Sequence, residues 1–167
     1  KWLAAILTLG ALGCGTESIQ SGEAPADYAA RMAASHEPAS VAAELKKLLD
    51  EGAVDPGSLE SGLASKGYGL LMEGQIERAS VVLRAAAEIF PDSWRVWENL
   101  GEVAIYQGDG ELARESLERA FALDSMSSGA RWMLPRLERS LREAAAETQV
   151  LVRFHPGEAT GLVGPYL

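Results

Sequence analysis

The sequence predicts an all-α fold of short paired helices, with one short strand near the C-terminus, and three observations carry that expectation. Residues recur at a fixed offset of 34: Gly67 and Gly101, Gly74 and Gly108, Glu77 and Glu111, Ala79 and Ala113, Leu83 and Leu117, and Ala86 and Ala120 are identical pairs, with Leu63 and Trp97 a conservative one. A fixed period of this length marks stacked supersecondary units, each needing its neighbours to bury an apolar face. Within each unit Leu83 and Ala86, and Leu117 and Ala120, continue one helix face at spacings of three and four. Turn sequences Glu73-Gly74-Gln75 and Gly108-Asp109-Gly110 break the helices where a short connection is wanted.

Composition agrees with a folded middle. Of 167 residues 47% are hydrophobic and 23% charged, the balance of a globular protein. The net charge of -9 argues against a nucleic-acid role, because phosphate binding needs clustered Lys and Arg. The single Cys, Cys14, cannot close an intramolecular disulfide, and no Cys/His set has zinc spacing.

Residues 1–20 read as an export signal. From Trp2 to Gly13 every residue except Thr8 is apolar or small, and a polar Gly-Thr-Glu-Ser run follows Cys14. Twelve helical residues rise about 18 Å, short of the roughly 30 Å hydrocarbon core, so a stable span is not expected. The run Ala11-Leu12-Gly13-Cys14 resembles the lipobox of bacterial lipoproteins. That resemblance implies lipidation at Cys14 and an exported, membrane-anchored protein of the bacterial cell envelope, periplasmic or otherwise extracytoplasmic. Residues 15–26 would then act as a tether. An ordinary signal peptide with an incidental thiol is the rival reading.

Residues 21–36 form a linker or a short helix, centred on 26–32. The helical domain is expected over 37–147. Its first helix, 38–50, carries Val41, Leu45, Leu48 and Leu49 at helical spacing and ends at Gly52. Two repeats follow, 60–93 and 94–125. Gly67 and Gly101 lie inside the first helix of each, where Gly costs about 0.5–1 kcal/mol against Ala, so a close helix crossing is expected there, facing Ala79 and Ala113 on the second helix. Residues 128–147 carry Trp132, Leu134, Leu137, Leu141 and Ala145 and are expected to form a capping helix, which Pro135 either kinks or restarts. Past Thr148, the alternation of Val150, Val152 and Phe154 predicts a strand, and 148–167 reads as strand and tail. The chain opens at Lys1 without Met and stops just after this new element, so it is expected to be a piece of a longer protein.

Over 60–125 the sequence resembles the tetratricopeptide repeat family. Trp97, Leu100, Gly101, Ala113, Leu117 and Ala120 fall on its signature positions, and Pro91 closes the first unit where the family often has Pro. Leu63 and Lys66 stand where the family has Trp and Leu. The resemblance implies an α-solenoid of helix-turn-helix repeats with flanking helices, whose first helices line a concave groove. It places peptide-contacting positions at Ser61, Ala64, Ser65, Tyr68 and Met72 in the first unit and at Arg95, Glu98, Asn99, Glu102 and Tyr106 in the second. Asn99 matches one position of the family's carboxylate clamp, but Glu98 stands where a Lys would be needed, so a clamp is not expected. Tyr68 and Tyr106 are the expected anchors. Arg95, Glu98 and Glu102 suit a mixed or basic segment.

No catalytic, cofactor or metal residues are expected. His36-Glu37 lacks the second His of a zinc-peptidase motif, since position 40 is Ser40, and His155 is the other His. The Ser residues have no Gly-x-Ser-x-Gly setting, and no phosphate loop is present. The expected function is therefore non-enzymatic: an exported, lipid-anchored scaffold binding a peptide or partner protein in its groove. Two alternatives remain. Residues 149–167 faintly resemble the opening of metallopeptidase-like domains that follow tetratricopeptide repeats in exported bacterial proteins, so the chain could lead a larger hydrolase. The repeats could also self-associate as an assembly-factor subunit.

Overall fold

Each helix starts and stops where short-range chemistry directs it. A computed structural model of the chain describes residues 18–154, with side chains through 146. Among the described residues it contains seven helices and no strand: α1 Pro25–Met32, α2 Pro38–Asp50, α3 Pro56–Met72, α4 Ile76–Ile89, α5 Trp94–Gln107, α6 Gly110–Leu123 and α7 Ser128–Phe154. Pro opens α1, α2 and α3, where its missing N–H would have lacked a helical partner anyway. Asp55, Ser93 and Asp109 cap α3, α5 and α6, accepting from the backbone N–H groups of Ser58 (2.8 Å), Val96 (3.5 Å) and Leu112 (3.0 Å). The cap carries a charge consequence at Asp55, whose carboxyl is held below its ordinary range by the Ser58 N–H.

The paired turns end their helices identically. Gly74 and Gly108 adopt φ of 74° and 75°, a left-handed conformation that L side chains resist. Around them Gln75 N–H reaches Leu70 O (2.8 Å) and Asp109 N–H reaches Ala104 O (2.9 Å), while Gly74 and Gly108 donate to Leu71 O and Ile105 O. These bonds satisfy the last carbonyls of α3 and α5 and turn the chain back into an antiparallel partner.

Three hairpins result, α1–α2, α3–α4 and α5–α6, followed by α7. Helix α3 lies between α1 and α5, α4 packs on α2 and α5, and α7 packs on α6 and touches α5. All the repeated apolar residues, Ala79, Leu83, Ala86, Ala113, Leu117 and Ala120, are fully buried. At about 2 kcal/mol for a buried Leu, this repeated face is a main source of stability. The close crossing expected at Gly67 and Gly101 is present, with Leu rather than Ala over each glycine. A Cβ on Gly67 would lie 2.4 Å from Leu83 Cγ, and one on Gly101 would lie 2.7 Å from Leu117 Cγ.

Helix α1 is part of this body. Tyr28, Ala29, Ala30 and Met32 are buried, Arg78 of α4 donates to the Ala30 carbonyl through Nη2 (2.6 Å), and Lys66 of α3 pairs with Asp27 (2.7 Å). Lys46 of α2 likewise reaches Glu88 of α4 at 2.7 Å. Two apolar clusters divide the interior. One runs from α1 to α5; the other joins Leu117, Ala120 and Ala130, and Trp97 packs against both.

The strand expected from Val150 to Phe154 is replaced by helix, since α7 continues through Phe154. A strand there would need a neighbour for its backbone N–H and C=O groups, and no strand exists among the described residues, whereas a helix satisfies them within the segment. Pro135 lies inside α7, which begins seven residues earlier, so it neither starts nor ends the helix. The rest of the expected tail, 155–167, and the signal-like residues 1–17, including Cys14, lie outside the described residues. No helix among the described residues is long and apolar enough to cross a membrane.

Candidate functional site

Helices α3 and α5 lie side by side, and their residues 34 positions apart in the chain face the same space. Between them is an open groove of about 480 Å³. From α3 it is lined by Ser61, Ala64, Ser65 and Tyr68, and from α5 by Trp94, Arg95, Glu98, Asn99 and Glu102. Met72 and Tyr106 sit one turn further along the two helices, outside the lining, and are 54% and 60% exposed. Of the positions expected to contact a partner, the groove thus brings together all except Met72 and Tyr106.

Several of these side chains are already committed to holding the walls. Asn99 Nδ2 donates to the Ala64 carbonyl at 2.9 Å, tying α5 to α3. Near the groove's end Ser93 Oγ donates to Glu60 Oε1 at 2.6 Å, a second tie between the same helices. Glu98 reaches the other way. Its carboxylate accepts from the Ser127 hydroxyl and from Ala130 N–H (3.2 Å), capping the first turn of α7. Space for it exists because residue 129 is Gly: a Cβ there would lie 2.4 Å from the Glu98 carboxyl carbon. Ser93 and Ser127 are themselves 34 apart, and both are buried helix-capping serines bound to a Glu of the preceding α3 or α5.

The remaining groups face the groove without such ties. Among the described residues no hydrogen bond or ion pair reaches the half-buried Glu102 carboxylate. Its pKa is raised above the ordinary glutamate value by burial, with the nearby charge of Glu98 adding to the effect. Tyr68 is 42% exposed, and the Arg95 guanidinium lies 5.1 Å from the centre of the Trp94 ring. Glu98 and Glu102 together outweigh Arg95, so the groove carries a net negative charge.

Comparison with protein-family models and with curated proteins finds no match.

Trp94 is the groove residue that the sequence reading missed. The signal was available: Trp94, Glu98 and Glu102 recur at intervals of four along α5 and so share one stripe. Trp97, three residues on, has a different role. Its Nε1 donates to the Pro91 carbonyl at 2.8 Å and the Arg119 guanidinium stacks 4.5 Å from its ring centre, so this Trp closes the interior. A second cleft, of about 510 Å³, lies between α6 and α7. Its charged wall is internally paired at Arg114 and Glu111 (2.6 Å), and Leu141 fills the space over Gly110. Among the described residues no three His, Cys, Asp or Glu side chains gather as a metal site.

Proposed function

We propose that this chain is a protein-protein interaction scaffold built of tetratricopeptide-type repeats stacked as an α-solenoid, which holds an extended segment of a partner protein in the groove between α3 and α5. The reading rests chiefly on one observation: groove positions 34 residues apart converge on a single open space whose walls are fixed by Asn99 and Ser93. Walls held in advance lower the ordering cost of binding. Exposed Tyr68 and half-buried Trp94 supply rigid aromatic area, the kind that concentrates binding energy. Export and anchoring through a lipidated Cys14 belong to the same proposal, and they rest on the lipobox-like run at 11–14. In that arrangement acyl chains keep the groove at a membrane surface, where its partners would be encountered.

Site-directed photo-crosslinking in the source cell tests the groove. A photoreactive residue in place of Tyr68 or Trp94 is expected to crosslink a defined partner segment, whereas one in place of Glu118, exposed on α6, is not. Equal crosslinking from all three positions would remove the groove from the proposal. Loss of membrane association in Cys14→Ser, with a lipid mass absent from its N-terminal peptide, tests the anchor.

A further inference from the structure

The chemistry of the groove narrows what can occupy it. One basic and two acidic side chains line it, Arg95, Glu98 and Glu102. Arg95 is exposed and stacked against Trp94. Glu98 is held at the first turn of α7, where it accepts two hydrogen bonds. Glu102, one turn further along α5, is half-buried and engaged by no hydrogen bond or ion pair among the described residues. Such a carboxylate, partly removed from water and beside a second one, is stabilised by an incoming cation more than by any neutral group. An incoming anion would meet one guanidinium and two carboxylates. A bare divalent ion would find too few oxygen ligands, since Glu98 is already spent on α7.

Resting on the scaffold reading above, we propose that the groove selects a partner segment carrying a lysine or arginine, whose cationic head sits at Glu102. Tyr68, lining the opposite wall, offers an aromatic face that attracts the same cation. Met72 and Tyr106, exposed one turn beyond on α3 and α5, suit an apolar residue flanking the cation in an extended segment. The raised pKa of Glu102 agrees with this: the site holds a charge that its own surroundings leave uncompensated. The overall charge of -9 adds a long-range pull on basic segments.

The test uses three capped peptides, Gly-Ser-Leu-Lys-Leu-Ser-Gly and the same sequence with Gln or Glu replacing Lys, titrated to millimolar concentration into the full chain. Binding is read from the indole signal of Trp94 and the ring signals of Tyr68 in NMR spectra. The Lys peptide is expected to bind roughly tenfold more tightly than the Gln peptide, as charge-assisted contacts do, and the Glu peptide more weakly still. Glu102→Gln should abolish the difference between the Lys and Gln peptides. Glu118→Gln, which removes the same charge elsewhere, should preserve it and so rule out a general attraction to an acidic protein. If the Gln or Glu peptide binds the groove as well as the Lys peptide, cation selection falls and the groove reading stands. If none of the three moves the Trp94 and Tyr68 signals, both fall.

Discussion

Leu83 and Leu117 occupy the space that a side chain on Gly67 or Gly101 would need, and both leucines are fully buried. Alanine gains about 1 kcal/mol over glycine inside a helix, but overpacking a tight core costs about 1–3 kcal/mol. Gly67→Ala and Gly101→Ala should therefore lower stability, by up to about 2 kcal/mol net in urea unfolding. Gly69, in the same helix as Gly67 but with open space around it, supplies the contrast: Gly69→Ala should gain about 0.5–1 kcal/mol. Stability rising in all three would mean that the leucines yield. Glu102 bears on pH. Because its carboxyl is pushed above the ordinary value of 4.5, the ionised form costs folded-state stability at neutral pH, and that cost fades as pH falls and the folded state protonates first. Glu102→Gln should thus be more stable than the parent at pH 7, by less than about 1 kcal/mol for a solvent-screened group. The advantage should vanish below the ordinary value, as read from unfolding midpoints across pH.

Among the elements, α7 depends most on a single remote side chain. Its first turn is capped from within by Ser127 and from α5 by Glu98, and both reach Ala130 N–H. Removing the Glu98 carboxylate leaves the buried Ser127 hydroxyl without its acceptor and weakens the tie between α7 and the groove wall. Glu98→Ala should cost about 1–3 kcal/mol and raise amide exchange in 128–134 while leaving α3 and α4 unchanged. Exchange unchanged in that turn would show Ser127 capping α7 alone. Because Gly129 provides the space for Glu98, Gly129→Ala should reproduce the same local loss.

Across the whole molecule the interior is two clusters joined at Trp97. The larger, from α1 to α5, contains most of the buried side chains, and the smaller holds α6 to α7 through Leu117, Ala120 and Ala130. Half-buried Trp97 packs on both and stacks against Arg119 of α6. Truncating it removes the shared surface, worth about 2 kcal/mol by area. Trp97→Ala is expected to split a single urea transition into two, with α6 and α7 melting first, whereas Trp97→Phe should keep one transition at a lower midpoint. A single transition in Trp97→Ala would mean that the backbone contacts of α5 and α6 suffice for cooperativity.

The chain's own chemistry determined the helices and their pairing. Gly74 and Gly108 turn the chain because of the φ they allow, Pro38 starts a helix, and Leu83 and Leu117 recur at one period; all of these act within a few residues and are legible along the chain. The positions on α3 and α5 that line the groove came instead from the resemblance to the tetratricopeptide family, which assigned them residue by residue. Three features needed the tertiary structure. Val150 to Phe154 alternate as a strand would, yet with no neighbouring strand among the described residues they extend α7. Trp94 and Trp97 are alike in sequence, but one lines the groove and the other bridges two clusters. Glu98 and Glu102 lie one turn apart on the same face, and only the docking of α7 engages the first and leaves the second to the groove. Local conformation follows from neighbours in the chain, whereas the free or engaged state of a side chain is set by groups brought near it from distant residues.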